Sequence, residues 1–166
     1  EEVEFVNKNG ELKIRMPLSK LMSGDNITAT VYYKNIDAVE TNEGSRISSQ
    51  ETIENTSLDI NAKEGSQIDL SIDIDRLVVK SSGGSQIELN GKATNQEAII
   101  NSGGELNAKK LQTKQTIVTT NAGGNATIFA TDFVDAKTRA GGNIIIYGKP
   151  KQVNQKTVLG GTIIEK

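Results

Sequence analysis

Four aspartates are the residues best placed by type and spacing to do chemistry. Asp69, Asp73 and Asp75 follow one another at steps of four and two residues, and Asp59 lies on the preceding unit. Carboxylates gathered in this way suit two tasks. Hard cations such as calcium take several carboxylate and carbonyl oxygens. A carboxylate pair at a suitable separation cleaves glycosidic bonds, and unrelated folds host that chemistry. The plainer alternative is the wet side of alternating strands. Ile68, Leu70, Ile72 and Ile74 alternate with Asp69, Ser71, Asp73 and Asp75, and a period of two turns one set inward and the other to water. The nine-residue calcium-binding solenoid repeat is absent. Arg76 and Lys80 lie nearest the acidic run, but a lysine base needs burial to lower its pKa. The sequence contains no His and no Cys, which removes the usual neutral-pH base, Ser-His-Asp catalysis and any thiolate site. No catalytic, cofactor-binding or metal-ligating residue is therefore assigned. The chain is expected not to be an enzyme and to need no cofactor.

Composition narrows the partners. The 166 residues carry 19 basic and 21 acidic side chains, a net charge of −2. No basic stripe stands out, so neither nucleic acid nor an anionic membrane is an expected partner. No apolar stretch approaches the ~20 residues of a membrane span. The chain begins at Glu1 without Met and reads as a mature form whose targeting segment is gone. Aromatics are few, namely Phe5, Tyr32, Tyr33, Phe129, Phe133 and Tyr147. The core must be aliphatic, and a sugar platform built on ring faces is disfavoured.

The elements that hold these residues follow from a recurring glycine pair. Gly83-Gly84, Gly103-Gly104, Gly123-Gly124, Gly141-Gly142 and Gly160-Gly161 return at a period near twenty, and Gly65, Gly44 and Gly24 extend the rhythm backwards. Such a period means stacked, near-equivalent units. No helix follows any pair, so these are corners and not phosphate-cradling loops. Aligned on the second glycine, Ile27, Ile47, Ile68 and Ile87 stand three residues on, whereas Leu106, Ala126, Ile144 and Ile163 stand two residues on. This reads as one residue lost from the turn between the fourth and fifth units. A strand is expected where Ile27, Ala29 and Val31 alternate with Thr28 and Thr30. The residue before each pair (Ser82, Ser102, Ala122, Ala140, but also Leu159) is mostly small, as a tight corner would require. Upstream, Val3 and Phe5 and then Leu12, Ile14 and Met16 alternate with polar residues around Asn9-Gly10, a hairpin turn signal. The fold class expected is all-β: a parallel β-helix with about 20 residues per coil, as one domain over 1–166. Residues 1–23 would form the hairpin or cap, with Lys20 to Gly24 leading into about eight coils over 24–166.

The corners Ser82-Gly83-Gly84-Ser85, Asn101-Ser102-Gly103-Gly104 and Asn121-Ala122-Gly123-Gly124 resemble those of a known family. So do the stretch from Ala140 through Gly141-Gly142-Asn143-Ile144-Ile145-Ile146 to Tyr147-Gly148-Lys149-Pro150, and the closing Leu159-Gly160-Gly161-Thr162-Ile163-Ile164. The family is the head GIN domain of putative auto-transporter adhesins. The resemblance implies a right-handed β-helix on an exported or surface-associated protein, outside the cytoplasm, and transfers no site residues.

Three functions remain open on the residues. One is a non-catalytic structural or adhesive solenoid whose partner is a surface glycan or protein. Another is a polysaccharide-acting enzyme with a carboxylate pair in a groove. The third is an end-to-end polymerising scaffold or homo-oligomer built on the edge strand Thr162 to Glu165, unless Lys156, Glu165 and Lys166 guard that edge. The sequons at Asn26, Asn55 and Asn125 read as chance matches, and Tyr147 as packing on the last corner. Val at Gly104 or Gly124 should destabilise the fold, on the expectation that both glycines hold positive φ.

Overall fold

A computed structural model describes residues 3–17 and 27–166. The chain divides into two units, Glu1–Lys34 and Asn35–Lys166. In the first, β1 (Glu4–Lys8) and β2 (Glu11–Arg15) form an antiparallel hairpin, with Lys8 paired to Glu11. Asn9 and Gly10 turn it at φ 54° and 81°, as the Asn-Gly dipeptide requires. The approach from Lys20 to Gly24 lies outside the described residues. The strand expected over Ile27 to Val31 is not formed. Residues 27–37 hold no regular strand, and Val31 and Tyr32 are exposed. Alternation alone does not make a strand where the apolar set finds nothing to pack against.

The second unit is a parallel β-solenoid of about seven turns, with about 19 residues per coil. Its strands are β3 (Ala38–Thr41), β4 (Arg46–Ala62), β5 (Gln67–Ser81), β6 (Gln86–Ile100), β7 (Glu105–Asn121), β8 (Asn125–Arg139), β9 (Asn143–Tyr147), β10 (Gln152–Val158) and β11 (Thr162–Glu165). Sequential strands pair in parallel from β3 to β9, β8 pairs also with β10, and β11 pairs with β9. No helix occurs among the described residues. The glycine count of about eight coils exceeds the observed seven because residues 27–37, expected in the first coil, form no strand.

Each long strand wraps two faces of the coil. In β5, Ile68, Leu70, Ile72 and Ile74 point inward, Asp75 and Arg76 both face out at a bend, and Leu77, Val79 and Ser81 then resume inward. Stacking aligns these positions into columns. One runs Ile47, Ile68, Ile87, Leu106, Ala126, Ile144, Ile163, the alignment expected from the glycines. A second, on the other face, runs Ile60, Val79, Ala98, Val118, Ala136. A coil cannot close this core alone, so each depends on its neighbours for burial worth about 1.5–3 kcal/mol per large aliphatic side chain.

The corners differ from the reading of a shortened turn. Seven successive corners place two residues at positive φ: Glu43-Gly44, Glu64-Gly65, Gly83-Gly84, Ser102-Gly103, Ala122-Gly123, Ala140-Gly141 and Leu159-Gly160. Both central residues at positive φ is the type I′ pattern, and the closing bond is present in the first five corners, as in Ser66 N to Lys63 O at 3.1 Å and Gly104 N to Asn101 O at 2.9 Å; in the last two, Gly142 and Gly161 also hold positive φ. No residue is lost from the turn. The glycine pair itself slides by one position between Gly83-Gly84 and Gly103-Gly104. Length differences between coils are absorbed by bulges, as between Ser48 and Thr52 in β4 and between Asn107 and Gln112 in β7. Nor does the first corner position demand a small residue. Glu64 and Leu159 occupy it, facing solvent, and Ser82 is not in that column at all.

The slot after the positive-φ pair is buried at Ser66, Ser85, Gly104 and Gly124, half-buried at Gly142 and exposed at Ser45 and Gly161. Ser66 and Ser85 fill it early; Gly104, Gly124, Gly142 and Gly161 fill it later. What decides is how closely the preceding coil, its backbone above all, approaches the slot. Against Thr41 and Ala62, a serine fits and bonds: Ser66 Oγ lies 2.9 Å from Thr41 Oγ1, and Ser85 Oγ donates to Ala62 O at 2.8 Å. Against Ser81 and Ile100 there is no room, and only glycine remains. A Cβ on Gly104 would lie 2.8 Å from the Ser81 carbonyl, and one on Gly124 would lie 2.5 Å from the Ile100 carbonyl oxygen. Gly104 and Gly124 do not hold positive φ, so the reason expected for their identity is corrected to close backbone approach.

Candidate functional site

The acidic run does not gather. Asp69 faces Arg46 at 3.6 Å, and Asp73 faces Lys92 at 3.0 Å. Asp75 accepts a bond from Thr94 Oγ1 at 3.4 Å. Asp59 stands exposed on the other face, in register with Ala38 and Val78. Among the described residues no group of three His, Asp or Glu side chains could hold a metal ion. Parallel register hands each carboxylate of the first face a donor from an adjacent coil, which is the solvated-strand reading. Arg76 and Lys80 are also exposed.

Lys92 shows the electrostatics of this face. It follows Glu54 and Asp73 in a column that continues to Gln112. Its pKa is raised above 10.5, first by the hydrogen bond to Asp73, then by the charge of Asp73, with Glu54 adding and desolvation opposing. A raised lysine pKa contributes stability that is full below the unfolded value and is lost as pH rises through the folded one. The pair should therefore be insensitive to pH from neutral up to the ordinary lysine range. Lys92→Gln, which leaves Glu54 and Asp73 as adjacent like charges, should lower the melting temperature slightly. The difference should shrink on adding salt. Thermal scans at two salt concentrations check it.

The larger candidate surface is a ladder. The outward column beginning each first face reads Arg46, Gln67, Gln86, Glu105, Asn125, Asn143, Thr162. Every position carries a hydrogen-bonding side chain, repeated at the ~4.8 Å spacing of paired strands. Asn143 Nδ2 donates to Asn125 Oδ1 at 2.9 Å within it, and Asn121 Nδ2 donates to Asn101 Oδ1 at 2.7 Å at the neighbouring corner. No single column position stood out in the sequence. The signal that could have found it was the polar residue recurring just after every corner.

The remaining candidates find structural roles. Asn55 Nδ2 donates to Ile36 O at 2.9 Å, and Asn125 belongs to the ladder; Asn26 lies outside the described residues. Tyr147-Gly148-Lys149-Pro150 forms the bend between β9 and β10, with Gly148 and Lys149 at φ 93° and 52°. A Cβ at Gly148 would fall 2.9 Å from the Phe129 ring, so glycine lets that ring lie on the backbone. Lys109 Nζ sits 4.5 Å from the Tyr147 ring centroid, and Lys166 Nζ 6.0 Å from it. The ring is thus engaged within the chain. At the last coil, Glu165 continues the inward column of Ile128 and Ile146, and Gln155 continues that of Val118 and Ala136. Gln155 Nε2 donates to Glu165 Oε1. A polar pair therefore stands where a further apolar coil would pack, which favours the guarding role of Glu165 over stacking. Lys156 and Lys166 occupy outward columns and do not share it.

The family model described as "Putative auto-transporter adhesin, head GIN domain" matches residues 1–150. No curated protein matches the chain. The crystal structure of a putative adhesin from Bacteroides fragilis superposes with a TM-score of 0.80 at 20% identity, covering 99% of this chain and 77% of that one. At that identity the likeness concerns the fold.

Proposed function

Because the chain belongs to the head GIN domain family of putative auto-transporter adhesins, we propose that it is a non-catalytic, cell-surface β-solenoid that adheres through its polar ladder. The observation that carries this reading is the unbroken column from Arg46 to Thr162. A rigid sheet presenting hydrogen-bonding groups at regular spacing suits a repetitive partner, a surface glycan or an extended protein. Each contact there contributes about 0.5–1.5 kcal/mol net, so affinity accumulates over many positions. Asp69 and Asp73 lie on an open face, each paired with a cation, and this arrangement supports binding over hydrolysis.

The test is an array of glycans and matrix proteins probed with the purified domain. Gln67→Ala, Gln86→Ala and Glu105→Ala should each weaken a positive spot by a few-fold, and the triple variant by about tenfold or more. Release of reducing ends from a polysaccharide panel, lost in Asp73→Asn, would replace this reading with the enzymatic one.

A further inference from the structure

A net charge of −2 conceals an axial polarity, and pairing of the strands gathers cations that form no stripe along the sequence, which reopens the anionic membrane set aside above. Residues 35–64 carry seven acidic and two basic side chains, a net −5; residues 137–166 carry six basic and one acidic, a net +5. Within the basic end, register brings three cations together. Lys137 and Lys156 are direct partners in the pairing of β8 with β10, and Arg139 stands two residues beyond Lys137 on the same outward face, opposite Val158. Like charges directly opposite in a sheet repel. No carboxylate among the described residues lies within ion-pair distance of any of the three. Asp135, two residues before Lys137 on that face, is the nearest acid along the strand. Asn154 stands opposite it, and Thr119 and Asn121, in register from β7, are uncharged.

Beside this cluster stands an apolar residue that the fold does not require. Leu159 follows Val158 and occupies the first corner position at φ 57°, 86% exposed. Equivalent corners use Glu, Gly, Ser or Ala. A non-glycine residue there costs about 1–2 kcal/mol, and this one buries nothing in return. Val158 is also exposed, at 37%.

We infer that the last two coils dock on an anionic lipid surface, with Lys137, Arg139 and Lys156 facing phosphate groups and Leu159 entering the interface. Cations alone would serve any polyanion; it is the strained, protruding leucine beside them that selects a surface with an apolar layer beneath its charge. Each Lys or Arg near such a surface contributes about a fivefold gain in partitioning, and the leucine about tenfold. Binding of this size is reversible and weakens with salt. The inference does not depend on what the ladder recognises.

The test is co-sedimentation of the whole chain with phosphatidylcholine vesicles, with and without about one-third phosphatidylglycerol. Binding is expected to the anionic vesicles alone. K137A/R139A/K156A should weaken it by about a hundredfold. Leu159→Gly should weaken it by about tenfold while raising the melting temperature, a pairing of effects that a purely structural leucine cannot produce. Absence of binding to anionic vesicles overturns the inference. So does binding that Leu159→Gly leaves unchanged and that soluble heparin abolishes, which would mark the patch as a site for an anionic glycan.

Discussion

Gly104→Ser should lower the stability of the domain by about 3 kcal/mol, a fall of roughly 6–12 °C in melting temperature for a chain of this size. The added Cβ would meet Ser81 Oγ at 2.7 Å and the Ser81 carbonyl carbon and oxygen at 2.8 Å. Two of those three contacts are backbone, so a side-chain rotation cannot relieve them, and the coils must move apart where both depend on shared burial. The control is Gly103→Ala. Gly103 sits at φ +71°, and an added methyl group there would have nothing within 4 Å, so only the left-handed backbone penalty of about 1 kcal/mol applies. Chemical denaturation of the two variants separates close approach from backbone conformation. A second check comes from the neighbouring corner, where Ser85 fits against Ala62. Ser81→Ala placed on Gly104→Ser reproduces that pairing and should recover about 1 kcal/mol or more relative to the sum of the single changes. Equal losses for Gly104→Ser and Gly103→Ala would sink the steric account.

Gln96→Leu should raise stability by about 1–3 kcal/mol. Gln96 interrupts the inward column Leu58, Leu77, Gln96, Thr116, Val134. Its Oε1 accepts a long bond from Thr116 Oγ1 at 3.3 Å, while its Nε2 is buried without an acceptor. Leucine repeats the two residues above it and removes the unpaired donor. Thr116 keeps a partner, since its hydroxyl lies 2.7 Å from that of Thr113, which in turn donates to Phe129 O at 2.8 Å. The relevant measurement is the denaturation midpoint with the slope unchanged. A variant less stable than the parent would mean that the amide is satisfied in the native protein.

How much of this was legible beforehand depended on whether the information was local. The inward column from Ile47 to Ile163 could be read because each member sits two or three residues from a glycine corner. The Asn9-Gly10 hairpin could be read because that dipeptide carries its own backbone preference. The strand expected at Ile27 to Val31 failed because alternation needs a partner surface, and residues 27–37 have none in regular pairing. The surroundings of the acidic run were not legible for a related reason. Asp69 and Asp73 are neighbours along the chain, yet the groups that face them, Arg46 and Lys92, come from coils about twenty residues away.

The period, the aliphatic core and the polar outer face follow from the sequence alone, since they are repeated in every unit and each unit reports them independently. Stacking decided which glycine answers to φ and which to contact, since that turns on how closely the backbone of the preceding coil, at Ser81 or Ile100, approaches it, and not on the corner itself. Stacking likewise brought Lys137 beside Lys156 and sealed the last coil with Gln155 and Glu165. Parallel register converts a separation of nineteen residues into direct contact between neighbouring strands, and no pattern confined to one unit carries that information.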